Sequence, residues 1–428
     1  MKIQNIELRN FRKFESLSVK LDPQMNVIAG NNGVGKSSVL DALSVGIGSF
    51  FLGIDGVTTP GIKKSDVRFK TYQIGSRIDR QPQYPVVIEC EGNVDGNDIS
   101  WKRTLNTESG STTYSDAAEI KNISAGIKDR VRKGDQQIIL PMISYYGTGR
   151  LWSQKKEKQG SGELNLSNRF YGYTDCLSAS SNEKLMIKWF RSMTLHRLQE
   201  QIEIPELSAV ENAIAECFVD SGVTADKVKV KFSVKTDEIE ISYLNENGES
   251  EQHPFHELSD GFRNTLSLVA DIAYRMAVLN PQLLDDVTKK TPGVVLIDEI
   301  DQHLHPRWQK NILKSLMKIF PKVQFIVTTH SPIVISSAVR SQLILFDNEK
   351  CSYIDDSYGK DSNSVLAEIM GVSPRPEDVQ KKLDRFYETL DDEEFDKAKE
   401  ILGQLIEMLG EGNGDVVSAK VALDFETC

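Results

Sequence analysis

Eight residues near the N-terminus, Gly30-Asn31-Asn32-Gly33-Val34-Gly35-Lys36-Ser37, have the spacing GxxxxGK[ST]. They follow an apolar stretch, Met25 to Ala29, and precede a helix-like run, Ser37 to Leu43. Glycines so placed let successive backbone N–H groups curl around phosphate oxygens, and a helix N-terminus adds positive potential. Lys36 is expected to hold the β- and γ-phosphates of a nucleoside triphosphate, and Ser37 to ligate Mg²⁺. Asn31, Asn32, Gly33, Val34, Gly35 and Ser38 complete the expected nucleotide-binding set.

Three further segments carry groups that would serve such a loop. Val294-Val295-Leu296-Ile297-Asp298-Glu299 is an apolar strand ending in two carboxylates. Asp298 is expected to help hold Mg²⁺, and Glu299 to orient and deprotonate an attacking water. Leu258-Ser259-Asp260-Gly261-Phe262-Arg263 lies just before an amphipathic pattern, which sets Ser259 and the Gly261 N–H at a positive helix end. Thr328-Thr329-His330-Ser331-Pro332 follows the apolar run Val323 to Val327 and supplies a histidine.

The elements that must position these groups can be read from periodicity. Short strands are expected at Ile3–Leu8, 17–21, Met25–Ala29, Val86–Glu89 and Ile138–Leu140. A head region, 1–150, is followed by a mostly helical insertion, 151–228, with helices over Glu183–Glu203 and Ser208–Val219. The insertion opens with a polar run, Gln154 to Lys158, and the Gly160-Ser161-Gly162 triplet. Region 229–350 returns to strands, and its helix from Gly261 to Leu279 places Leu266, Val269, Ala273 and Met276 on one face. Residues 351–428 read as an acidic helical tail whose charged run Asp391-Asp392-Glu393-Glu394 suits a solvated face.

Composition narrows the class. With 39% hydrophobic and 26% charged residues in 428, the chain can bury a substantial core. A net charge of −11 disfavours a wholly basic nucleic-acid coat, although Lys128, Arg130, Arg132 and Lys133 form one local cluster, read as a solvated loop or a phosphate contact. The five scattered cysteines show no zinc or disulfide spacing, and neither a signal peptide nor a span of about 18 apolar residues is apparent. A cytoplasmic protein without a membrane partner is expected.

Leu258 to Arg263 resembles the signature of ABC ATPases, with Asp260 and Phe262 replacing a usual glycine and glutamine. Loop, signature, carboxylate strand and histidine also follow the ABC order. The opening Asn10-Phe11-Arg12-Lys13-Phe14 is similar to that of RecF-like heads. The resemblance implies an α/β fold: an ABC-type P-loop ATPase head of mixed sheet and α/β core, with a helical insertion and a helical C-terminal tail. It implies that Arg12 faces the phosphates or base, that His330 reaches the γ-phosphate, and that Asp301 crosses an interface between two heads. His303 and His305 resemble a continuation common in RecF-like heads rather than a metal pair. No glutamine is clearly the one expected between the nucleotide motifs; Gln73, Gln83 and Gln137 stay open.

Tyr145-Tyr146-Gly147-Thr148-Gly149-Arg150 and Gly172-Tyr173-Thr174-Asp175-Cys176 are similar to segments of ATPases from bacterial phage-defence operons, the Septu and retron-associated kinds. This implies ATP and Mg²⁺ as cofactors and a dimer, or larger oligomer, that closes around ATP. It also implies a separate effector, an HNH nuclease if Septu-like, with DNA or a retron ribonucleoprotein as further candidate partners. The alternatives are a RecF-like DNA-repair ATPase and a transporter ATPase subunit. An intrinsic nuclease is not expected, because fewer than 100 residues follow His330. The long coiled-coil arm of SMC proteins is not expected either, since no sustained heptads occur.

Overall fold

The computed structural model describes residues 1–151, 168–178, 183–222, 224, 228–245, 247–339, 342–347 and 349–427. The polar run 154–158 and the glycine triplet 160–162 lie outside the described residues. Two compact units are present, Met1–Gly359 and Lys360–Cys428.

The first unit opens with the hairpin β1 (Lys2–Phe11) and β2 (Phe14–Lys20), then β3 (Met25–Gly30), which runs into helix α1 (Lys36–Ile47). A second hairpin, β4 (Phe69–Ile74) and β5 (Arg77–Pro82), precedes β6 (Val86–Val94) and β7 (Asn97–Leu105). Helix α2 (Ala118–Arg132) leads to β8 (Met142–Tyr146). Helices α3 (Glu183–Glu200) and α4 (Pro205–Asp220) follow. Then come β9 (Lys229–Ser233), β10 (Glu238–Leu244) and β11 (Ser250–Pro254). Helix α5 (Asp260–Leu279), β12 (Gly293–Ile297), β13 (Val323–Thr328) and the hairpin β14 (Leu343–Asp347) and β15 (Lys350–Ile354) complete the unit.

One sheet has the order β15-β14-β3-β13-β12-β8, parallel throughout except for β15. Its strands β3, β12 and β13 are buried at every residue, as expected of parallel strands covered on both faces. A second, antiparallel sheet has the order β2-β1-β6-β7. Helix α1 touches strands of both sheets, and its Gly46 lies so close to β6 that a Cβ there would meet Cys90 Sγ at 2.4 Å. The Trp101 indole of β7 donates to the Gly46 carbonyl at 2.8 Å, which ties the helix to the antiparallel sheet. Helices α3 and α4 pack on α5, and β9 of the smaller sheet β11-β10-β9 packs on α3 and α4.

Three expectations change. Ile138–Leu140 is not a strand: Leu140 N–H donates to the Asn280 side chain, whose amide donates back to Leu140 O, and Pro141 follows without an N–H. The strand begins at Met142 instead. Lys128, Arg130 and Arg132 stand on helix α2 rather than in a loop. They are paired there: Lys128 and Arg132 with Asp55, and Arg130 with Asp135. The boundary placed at 350 would cut the β14–β15 hairpin, and the first unit runs on to Gly359.

The second unit contains helices Glu377–Asp391, Phe395–Leu409 and Gly414–Thr427. Leu383, Phe386, Leu390, Ala398, Leu405, Val416 and Leu423 form its core. The acidic run of 391–394 is exposed throughout, with Lys397 bonded to Glu394. Arg375 makes a two-pronged ion pair with Asp415, which fastens the lead-in segment to the last helix.

Candidate active site

The loop between β3 and α1 is shaped by glycine. Gly35 has φ +101°, and a Cβ there would lie 2.5 Å from the Phe14 ring. A side chain is therefore excluded by both backbone and space. Lys36 is buried and spans the loop, donating to Gly30 O at 2.9 Å and Asn31 O at 3.0 Å. Burial lowers its pKa, against the opposing pull of Asp298, Glu299 and Asp301. Lys13, on the β1–β2 turn, donates to Gly33 O at 3.1 Å and brings a second ammonium to the loop.

The carboxylates arrive from β12, next but one to β3 in the sheet. Asp298 accepts from Ser37 Oγ at 3.1 Å and from Thr328 Oγ1 at 2.5 Å, while its own N–H donates to Tyr146 O. At Glu299 the backbone turns left-handed, with φ +48°, and its N–H is fixed by Thr328 Oγ1 at 2.8 Å. Such a conformation is costly for a residue with a side chain, and here it swings Glu299 out of the strand toward the loop. Asp301 accepts from Thr329 Oγ1 at 2.5 Å.

A cavity of about 430 Å³ is lined by Arg12, Lys13, Asn32, Gly33, Gly35, Lys36, Ser37, Ser38, Asp298, Glu299 and His330. Its volume is in the range of ordinary small-ligand sites. His330 is half-buried at its edge; desolvation, then the nearby Lys36 charge, lowers its pKa below the usual histidine value. The pairing of one hydroxyl with one carboxylate, Ser37 and Asp298, is a hard oxygen donor set suited to Mg²⁺. Asn31 contributes its carbonyl to Lys36, and Val34 packs on Gly30; neither side chain lines the cavity.

Ser259 and Gly261 do not line it. They open helix α5, with Ser259 and Asp260 exposed and Gly261 buried. A Cβ on Gly261 would fall 2.2 Å from His303 O, so glycine permits the α5 end to rest on the loop that follows Glu299. Asn264 adds a long hydrogen bond to Gln302 O in the same loop. Arg12 reaches the cavity, but its guanidinium is engaged: by Asp41 at 2.8 Å, Asp66 at 3.0 Å and Ser38 Oγ at 3.3 Å. Burial would lower its pKa, and the two carboxylates together raise it. None of Gln73, Gln83 and Gln137 lines the cavity. His305 instead accepts from Arg307 N–H at the start of the short helix Pro306–Gln309.

Asp271 and Arg275 were missed in the sequence, and Tyr145 and Tyr146 were singled out there only by resemblance. Adjacent tyrosines on β8 face opposite ways: Tyr145 donates to Asp41 of α1 at 3.0 Å, and Tyr146 donates to Asp271 of α5 at 2.7 Å. Asp271 also binds Arg275 at 2.7 Å, whose guanidinium donates to Gly172 O and Thr174 O. Burial alone would lower the Arg275 pKa, but Asp271 and then Tyr146 raise it overall. All three side chains are buried, so α5 is covered on its polar side as well as on the apolar face read from its periodicity. The opposite charges four residues apart were the available signal.

The nucleotide loop, the parallel sheet and the carboxylate strand define an ABC-type P-loop ATPase head. A family profile described as "AAA domain" matches residues 5–221, about half of the chain, and the chain belongs to that family. A second, "AAA domain, putative AbiEii toxin, Type IV TA system", matches residues 192–336. Over most of its length the chain is similar to proteins named as a retron probable ATPase and as Septu PtuA. It is 26% identical to the retron Ec83 probable ATPase of Escherichia coli, over 91% of this chain and 80% of that one. It is 24% identical to the Septu protein PtuA of Bacillus thuringiensis, over 96% of this chain and 95% of that one. A solved SMC head bound to the C-terminal winged-helix domain of ScpA aligns with a TM-score of 0.49 and 16% identity, over 83% of this chain and 98% of that one. Among the described residues, no helix is long and apolar enough to cross a membrane.

Proposed function

We propose that this chain is an ATP-driven switch: two copies close around ATP and Mg²⁺, hydrolysis releases them, and the cycle controls a separate effector in antiphage defence. The observation that carries this reading is the convergence of Lys36, Ser37, Asp298, Glu299 and His330 on one cavity that Ser259 and Gly261 do not line. Each chain would then offer a phosphate site and, apart from it, a helix end able to complete the site of a second copy.

Lys36 would leave its two loop carbonyls to hold the β- and γ-phosphates. Ser37 and Asp298 would hold Mg²⁺, which would supply positive charge to offset that of the phosphates. Thr328 keeps the Asp298 carboxylate and the Glu299 backbone in register. Glu299 would take the proton of the attacking water, and neutral His330 would donate to a γ-phosphate oxygen. The exposed Ser259 hydroxyl and the first N–H groups of α5 would meet that phosphate from the partner copy. The effector reading rests on the likeness to retron and Septu ATPases, and an HNH nuclease is the candidate effector.

The test is the light-scattering mass of Glu299→Gln with and without Mg-ATP, beside Lys36→Ala and Ser259→Arg. Glu299→Gln should lower hydrolysis by about 10²–10⁴-fold, the usual worth of a general base, and hold an ATP-dependent dimer. Both other variants should lose that mass increase. A mass independent of nucleotide in all variants would overturn ATP-gated pairing, and wild-type protein that neither binds nor hydrolyses ATP would overturn the whole reading.

A further inference from the structure

The β4–β5 hairpin is unlike the rest of the first unit. Ten of the twelve residues in its two strands are exposed, and among the described residues neither strand pairs with any other sheet. Alternation places Phe69, Thr71 and Gln73 with their partners Pro82, Arg80 and Ile78 on one face. Lys70, Tyr72 and Ile74 share the other face with Gln81, Asp79 and Arg77. Four large apolar side chains stand in solvent: Phe69 at 41%, Tyr72 at 42%, Ile74 at 62% and Ile78 at 78% exposure. A two-stranded ribbon without a covered face is marginal by itself, so these side chains do not serve the stability of the fold.

Charge says what could cover them. The two strands carry Lys70, Arg77 and Arg80 against one carboxylate, Asp79, in a chain of net charge −11. Asp79 is turned to Gln81 at 2.9 Å, and none of the three cations enters an ion pair among the described residues. Arg80 instead lies 4.4 Å over the Phe69 ring, and Lys70 lies 5.8 Å over the Tyr72 ring. Each face of the ribbon thus presents an aromatic ring beside a cation. That combination suits a base that stacks and a phosphate that follows it.

We infer that the β4–β5 hairpin is a docking arm for single-stranded nucleic acid: Phe69 and Tyr72 stack bases, and Lys70, Arg77 and Arg80 take phosphates. Its base is anchored at the rim of the nucleotide cavity. Arg68 N–H donates to Asn10 O at 2.9 Å, Arg12 N–H donates to Asp66 O at 2.7 Å, and Val67 bridges Phe11. The turn that bears Arg12 and Lys13 is therefore shared by the arm and the ATP site. In the α2 cluster Asp55 and Asp135 offset part of the charge of Lys128, Arg130 and Arg132, and the inference does not use it.

Fluorescence anisotropy of the full chain with a labelled mixed-sequence DNA strand of roughly 20 nucleotides, a span that single-strand grooves readily cover, tests this across a salt series. Wild-type affinity should fall linearly in log–log form with salt. Lys70→Glu, Arg77→Glu and Arg80→Glu combined should flatten that slope by about 2, given about 0.7 per phosphate contact on single strands. Phe69→Ala with Tyr72→Ala should weaken binding by about tenfold or more with the slope unchanged. Both variants should keep wild-type ATP affinity, because their side chains lie outside the cavity; this separates the arm from the ATP-gated pairing. The inference is overturned if wild type does not bind the strand, if the variants bind like wild type, or if polyglutamate of equal charge competes as well as the strand, which would mark an acidic protein partner. Loss of self-association with strand binding intact would overturn it in favour of a second copy.

Discussion

Two helix starts, those of α1 and α5, carry glycine, and they are finished differently. At the start of α1, Lys36 is buried, bonded to two loop carbonyls and backed by Ser37, Asp298 and Thr328. At the start of α5, Ser259 and Asp260 are exposed, and the Ser259 side chain makes no capping bond to its own helix. Ser331 shows the alternative, since it caps its helix by accepting from Ile333 and Val334 N–H groups. The first start is completed inside one chain. The second leaves the Ser259 hydroxyl exposed, as the pairing proposal requires.

Between them runs one buried connection. Tyr146 gives its carbonyl to Asp298 N–H and its hydroxyl to Asp271 of α5. Strand β8 thereby joins the carboxylate strand to the helix that carries Ser259.

The contrast can be broken at three places. Lys36→Ala should cost the most: removing the buried ammonium proposed to hold phosphates should weaken ATP binding by about a hundredfold or more, read by titration calorimetry, because charge-assisted contacts are the strong ones. Equal affinity in the variant would mean that the α1 end is not the phosphate site.

Tyr146→Phe should come next. It leaves the buried Asp271 short of one donor, a loss of about 1–3 kcal/mol in stability by urea unfolding. If β8 also positions the α5 end, ATP-dependent pairing should fall while single-chain ATP affinity stays. A variant as stable as wild type would remove the connection.

Acid should produce the smallest effect, and the sign follows from the direction of the shift. Burial and Lys36 hold the His330 pKa below 6.5, so the neutral ring is the form present at neutral pH. Hydrolysis should lose a few-fold only as pH drops below 6.5, and that acid limb should be missing in His330→Gln, whose rate is lower throughout. A limb centred above 6.5, or one that survives the substitution, would assign it to another group.

The reach of the sequence differed between parts of the site for a physical reason. The Gly30–Ser37 loop is contiguous, and the left-handed φ of Gly35 together with the helix behind it is a local matter that residue types settle. The apolar runs of β3, β12 and β13 marked strands in the same way. The expected strand at 138–140 failed because its backbone bonds go to Asn280, 140 residues away from Leu140. The basic residues of α2 looked available to phosphates until Asp55, distant in sequence, was found beside them.

By itself, then, the order of residues determined the nucleotide loop, the carboxylate strand and the α5 start, since each depends on neighbours within one element. Only the tertiary structure decided that Ser37 meets Asp298 across 261 positions, that Arg12 is held by Asp41 and Asp66, and that Tyr146 ties β8 to α5. Those contacts arise from sheet order and from which face of each element is buried, and a side chain's partners there are set by packing rather than by its place along the chain.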